Sequence, residues 1–292
     1  MMTQEEYRHW RSYFNAPHLR SIADYGIHKT DVDHAKELGC ATYHGFLHVL
    51  YQKLLQHYPV EYVIKNELIA WILSQSHEGY LATEQYSNGS YADVIRITKD
   101  QSTVYEIKTK YDSDKRLRKQ MKDYSQVFDH VILVTNEGHS FKFMKSVPDY
   151  VGVLTMNGAG QISFLRLPQN HDDTINKFCL HRALHAKERR DLKHDFFATC
   201  TPEQESYRHM YNEKFIEDFI STVEMSKIVK QHWSQRASIR HLRFLPKIPY
   251  CLHTALYEYR IQVKEWQTIL ALLHEPFETL NRNKHGSYIL RT

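Results

Sequence analysis

The sequence predicts an α/β protein: a mixed sheet flanked by helices, with further helical regions at both ends. Three observations predict it. Apolar residues recur at intervals of three and four over residues 46–72, the period of an amphipathic helix. From about residue 80 the texture changes to short β-rich runs broken by turn signals. The run HVILVTN at 130–136 is continuously apolar, as in a strand buried on both faces. A length of 292 residues suits two compact units or one decorated domain. Hydrophobic residues at 42% and charged residues at 25% describe an ordinary globular chain.

Residues 1–57 read as helical, with Phe46, Leu47, Leu50, Leu54 and Leu55 on one stripe. Pro59 resets the chain, and Val60, Ile64, Leu68 and Ile72 line a second helix. The segments YLATEQYS, YADVIRI and TVYEIKTK follow as strands, separated by NGS and KDQS. A helix is expected from an N-cap at Ser113 or Asp114 to Phe128. Then come the strand at 130–136, a short helix near 139–147, and the strands YVGVLTM and ISFLRL, parted by the turn NGAG. A meander followed by a crossover indicates a mixed sheet. The expected organisation is a helical region over 1–57, a core over 58–168 and a mainly helical region over 169–292. That last region is the candidate for a homodimer or other protein contact.

Composition excludes several classes. No run approaches the ~20 apolar residues that span a bilayer, and the polar start MMTQEEYRHW is not a signal peptide, so a cytoplasmic protein without membrane contact is expected. Cys40, Cys179, Cys200 and Cys251 form no CxxC pair, which argues against a zinc ribbon or a disulfide framework. The formal charge of +4 permits a nucleic-acid partner without demanding one. The excess falls in residues 169–292, where HAKERRDLKH and RASIRHLRF read equally well as solvated helix surface or as a DNA grip. Trp10, Trp71, Trp233 and Trp266 are most simply core residues. The helical pairs His44/His48 and His181/His185 have zinc-ligand spacing, but no further clustered ligand accompanies them.

The chemistry lies between residues 93 and 124. Alternation along a strand puts Val104, Glu106 and Lys108 on one face. Antiparallel pairing with the preceding strand brings Asp93 towards Glu106. Two neighbouring carboxylates repel unless a cation lies between them, and oxygen ligands suit Mg²⁺ or Mn²⁺. A lysine beside such a cation can hold the attacking water and stabilise charge on a phosphate. On the following helix, Leu117, Gln120, Met121, Tyr124, Val127 and Phe128 form an inward stripe. Arg116, Arg118, Lys119 and Lys122 lie off it, free to meet a phosphate backbone. Glu67 borders the apolar face of its own helix, either as a third acidic group or as a partly exposed margin residue.

Asp93 followed by EIK at 106–108 resembles the PD-(D/E)xK nuclease superfamily, and QMKDY at 120–124 resembles the QxxxY motif of its RecB-like branch. NELIAWIL, STVYEIKTKYDS, QMKDYSQVFDHVILVTN and VPDYVGVLT are similar to a bacterial family of small nuclease-like proteins within it. The resemblance covers about residues 60–168, with Ala92 in place of the motif's proline. It implies a restriction-endonuclease-like fold and a metal-dependent nuclease acting on DNA. Asp93, Glu106 and the Ile107 carbonyl would hold Mg²⁺, with Mn²⁺ as a substitute. Lys108 would be the catalytic lysine and Gln120 and Tyr124 the auxiliary pair, while Glu67 matches a helical acidic position of the family. The alternative is a catalytically silent nucleic-acid-binding or regulatory protein on the same fold, although a pure binder has no need of a carboxylate pair beside a lysine. An iron–sulfur cluster, which some RecB-like nucleases hold with one cysteine before the core and three after, would need its last three clustered, and here they are dispersed. Phage defence, mobile-element biology and repair are all compatible with such a protein.

Overall fold

The computed structural model describes residues 4–199, 216, 220–236, 244–283 and 285–291. The chain divides into two units, one of Met1–Gln75, Gly158–Gln161 and Ile239–Thr292, the other of Ser76–Asn157 and Ile162–Ser238.

The first unit is mainly helical. Its N-terminal part holds α1 (Gln4–Ser12), α2 (Ala16–Tyr25), α3 (Lys29–Glu37), α4 (Tyr43–His57) and α5 (Glu61–Gln75). Helix starts follow local chemistry: the Asn15 side chain accepts the His18 N–H and the Thr42 side chain accepts that of Gly45. The two apolar stripes expected on α4 and α5 are buried. Helices His253–Glu258 and Val263–His274 and the small hairpin Asn281–Arg282/Tyr288–Ile289 complete this unit.

The second unit is built on a six-stranded mixed sheet in sequential order: β1 (Tyr80–Ser87), β2 (Ser90–Ile97), β3 (Ser102–Lys108), β4 (His130–Asn136), β5 (Gly152–Met156) and β6 (Ile162–Arg166). β1–β2, β2–β3 and β5–β6 pair antiparallel, while β3–β4 and β4–β5 pair parallel. The β1–β2 turn is made by Asn88 and Gly89 at φ 47° and 98°, the left-handed pair a two-residue hairpin requires. Parallel β3 and β4 need a crossover, which α6 (Leu117–Ser125) supplies. Further helices are α7 (Ser140–Met144), α8 (Lys177–Ala183), α9 (Ala186–Thr199) and α10 (Thr222–Gln235). The core gathers Val104, Val131 and Leu133 from the sheet, Leu117, Met121 and Tyr124 from α6, and Leu180 and Trp233 from α8 and α10.

One expectation is corrected, and the two units divide the chain differently from the expected regions. The crossover helix is shorter than 113–128, and neither Ser113 nor Asp114 caps it. Asp112 accepts the backbone N–H and hydroxyl of Thr109, and Asp114 accepts the Ser146 hydroxyl, so these acidic side chains close a loop instead. At its far end the N–H groups of Val127 and Phe128 both turn back to the Tyr124 carbonyl, so the apolar stripe continues past the last helical turn. The boundaries at 57/58 and 168/169 also differ from the units. α5 belongs with the N-terminal helices, whereas α8 and α10 belong with the sheet, because Leu180, Met225, Val229 and Trp233 are buried in its core. Burial, rather than contiguity in sequence, sets the division.

Candidate carboxylate–lysine site

The site starts from register. Val94 pairs with Tyr105, so one residue further Asp93 lies opposite Glu106, away from the β2–β3 turn, as antiparallel pairing required. The regular ladder stops there. The Asp93 carboxylate instead takes the Ile107 N–H at 2.5 Å, which closes the splayed end of the strand pair.

Glu106 projects towards α6 and is 2% exposed. A buried carboxylate is costly unless its oxygens are satisfied, and three side chains satisfy it. Gln120 Nε2 donates to Oε1 at 2.6 Å, and Tyr124 O–H donates to Oε2 at 2.7 Å. The Lys108 ammonium pairs with Oε1 from the next position on the same face of β3. Tyr124 O–H also reaches the Tyr91 carbonyl at 2.6 Å, so one phenol ties β2, β3 and α6 together. Burial and the neighbouring Glu106 charge raise the Tyr124 pKa far above its ordinary value, so Tyr124 stays a donor. The Thr135 hydroxyl holds the Lys108 carbonyl at 2.7 Å from β4.

The structure therefore brings Glu106, Lys108, Gln120 and Tyr124 into one cluster, with Asp93 anchored on the backbone beside it. Arg116, just before α6, and Arg118, Lys119 and Lys122 on it are exposed, as their positions off the stripe required. Glu67 belongs to the first unit. Its carboxylate accepts the Tyr51 hydroxyl at 2.5 Å and the Tyr250 hydroxyl at 2.6 Å, and burial pushes its pKa above the usual carboxylate value. It is half-buried, in keeping with a place at the margin of the apolar face, and both of its oxygens are hydrogen-bonded.

One acidic residue escaped the sequence reading. Glu84 stands opposite Asp93 across β1–β2, in the left-handed region at φ 51°, and carboxylate oxygens of the two approach within 4.8 Å. Glu84, Asp93 and Glu106 thus form an acidic row across three strands. The signal was present, since a two-residue Asn-Gly turn dictates the register that pairs 84 with 93.

The lesser candidates stay ordinary. Trp10, Trp233 and Trp266 are buried and Trp71 is half-buried. Cys40, Cys179 and Cys251 are free thiols, and Cys200 lies outside the described residues. The His44 and His274 rings lie 4.9 Å apart, but among the described residues no histidine joins a three-ligand group. Within HAKERRDLKH, Lys187 pairs with Asp191 on the α9 surface, while most of RASIRHLRF lies outside the described residues. Among the described residues no helix is long and apolar enough to cross a membrane.

A six-stranded mixed sheet with a buried, hydrogen-bonded glutamate beside a lysine defines the class of this protein as an α/β protein with a polar site at one end of β2 and β3. The chain belongs to the family described as Bacteriophage P4 protein cII, which matches residues 56–244. No curated protein and no solved structure matches it.

Proposed function

We propose that the chain is a divalent-metal-dependent nuclease that hydrolyses phosphodiester bonds, in DNA first, on a restriction-endonuclease-like fold. The observation that carries the reading is Glu106. It is a buried carboxylate held by Gln120 and Tyr124 and paired with Lys108, with Asp93 opposite it on the neighbouring strand. A structural ion pair has no need to be sunk in the core and bordered by further acidic groups. The order of three antiparallel strands, a crossover helix and a parallel strand supports the same reading.

The residues present fit Mg²⁺. Asp93, Glu106 and the Ile107 carbonyl offer only oxygen, the donor type that Mg²⁺ and Mn²⁺ prefer. Gln120 Oε1 is buried without a hydrogen-bond partner, an acceptor left open at the site. When bound, the ion would supply Lewis-acid polarisation of a phosphoryl oxygen and a more acidic water. The chain's own groups do the rest. Gln120 and Tyr124 are positioning residues that fix the Glu106 carboxylate. Lys108 offers N–H donors to the attacking water and to charge developing on the phosphate. Arg116, Arg118, Lys119 and Lys122 meet the backbone of the nucleic acid. Glu67 lies in the first unit, where it accepts two tyrosine hydroxyls, and the ligand set proposed here lies wholly in the second unit and does not include it.

The test compares DNA cleavage by wild type, Asp93→Ala and Lys108→Ala with Mg²⁺, Mn²⁺ or EDTA. The expected result is cleavage by wild type alone, and only with metal. Equal cleavage by all three proteins, or indifference to EDTA, would overturn the assignment. Salt-sensitive binding without cleavage under any divalent ion would favour the silent nucleic-acid-binding reading. A panel with RNA and nucleotides separates substrates.

A further inference from the structure

Two tyrosines beside the site have no place in the chemistry above. Tyr86 and Tyr91 face each other across the β1–β2 hairpin, rings 5.2 Å apart at 63°, and remain 54% and 63% exposed. Exposed aromatics on a mobile loop would mean little, but this hairpin is fastened. Ser90 donates to Asp123 on α6 at 2.5 Å, Asn88 donates to Gln126, and Lys119 bridges Asp123 and the Gly89 carbonyl. The hairpin therefore holds two wet rings in fixed positions. It holds them close to the carboxylates: the Tyr91 carbonyl shares the Tyr124 hydroxyl with Glu106, and Asp93 follows two residues later. One cation is at hand, Lys119 at the hairpin tip, and Arg118 and Lys122 are exposed on the same helix.

Aromatic faces alternating with cations on a rigid surface are how proteins take single-stranded nucleic acid, with rings stacking on bases and cations following phosphates. A base inside a duplex has both faces covered and must first be unstacked, at a cost of a few kcal/mol. We infer that Tyr86 and Tyr91 form a stacking platform for an unpaired base, so that the site receives single-stranded or frayed nucleic acid rather than the interior of an intact duplex. The inference deepens the nuclease reading and rests on it for the cutting step, but not for binding. The competing account is a cross-strand aromatic pair that only stabilises the hairpin. It predicts a change in stability with no change in strand preference.

The experiment measures binding of the full chain, in EDTA, to a short single-stranded oligonucleotide carrying 2-aminopurine and to the matched duplex. Fluorescence anisotropy gives affinity, and 2-aminopurine quenching reports stacking. Proteins compared are wild type, the double variant Tyr86→Val/Tyr91→Val, which keeps strand-forming residues, and Tyr86→Phe/Tyr91→Phe, which keeps the rings. The valine variant should lose about 5- to 150-fold in single-strand affinity and all quenching, with duplex affinity little changed. The phenylalanine variant should match wild type. Single-strand binding unchanged in the valine variant, a parallel loss on both substrates, or no single-strand binding by wild type would overturn the inference. Binding with quenching but no cleavage under any metal would remove the nuclease reading and leave the platform standing. Cleavage by a valine variant that keeps wild-type affinity would do the reverse.

Discussion

Replacing Tyr124 with Phe removes one oxygen and nothing else. That oxygen donates to Glu106 at 2.7 Å and reaches the Tyr91 carbonyl at 2.6 Å, while the ring itself stays in the core against Phe128. A hydrogen bond to a charged group contributes about 1.5–3 kcal/mol, and stranding its buried acceptor costs towards the upper part of that range. Water cannot replace the donor readily, because Glu106 is 2% exposed. The expected loss is therefore about 2 kcal/mol, which lowers a urea midpoint by roughly 1 M at unchanged slope. The assay is urea unfolding followed by hydrogen exchange of peptides spanning β3 and α6, so that the sheet unit is read by itself. A second measurement places Tyr124→Phe in a Glu106→Ala background. If the hydroxyl acts through Glu106, most of its cost disappears there, and the cycle returns a coupling of about 1–2 kcal/mol. A Tyr124→Phe loss under about 0.5 kcal/mol, the range of an ordinary surface substitution, would refute the reasoning. So would a loss that is the same in both backgrounds.

Two further outcomes follow from the same geometry. Gly89→Ala forces a side chain into φ 98° at the hairpin tip, where its Cβ would also press on Lys119 Nζ at 3.3 Å. It should cost about 1–2 kcal/mol, read as a fall in thermal midpoint, and a neutral result would contradict the assigned turn. Glu67 has a folded pKa raised above 4.5 by burial, so the folded state binds its proton more tightly than the unfolded chain. Its contribution to stability is full below the unfolded pKa and is lost as pH rises through the folded one. Thermal midpoints of wild type and Glu67→Gln, compared from about pH 4 to 7, should therefore shift in favour of the glutamine variant as pH rises. A shift the other way would show that the tyrosine hydrogen bonds outweigh burial.

Much of the second unit was legible because strands and helices write their periods locally. Alternation put Glu106 and Lys108 on one face of β3, and a spacing of four put Gln120 and Tyr124 on the inner side of α6. Both hold in three dimensions because each side chain's direction follows from its own backbone. Short-range chemistry was less faithful at chain turns. Ser113 and Asp114 look like helix caps, but the Ser146 hydroxyl takes the Asp114 carboxylate, and the helix starts later.

What the sequence by itself determined is the set of elements, their faces, and the residue types that meet on them. Only the tertiary structure decided which distant segments close around those faces. Tyr51 and Tyr250, nearly two hundred positions apart, converge on Glu67. α8 and α10, far along the chain, cover the core beside α6. The reason is physical. Backbone periodicity is a local property that a window of residues reports, whereas burial and hydrogen-bond satisfaction are met by whatever part of the chain returns to the site.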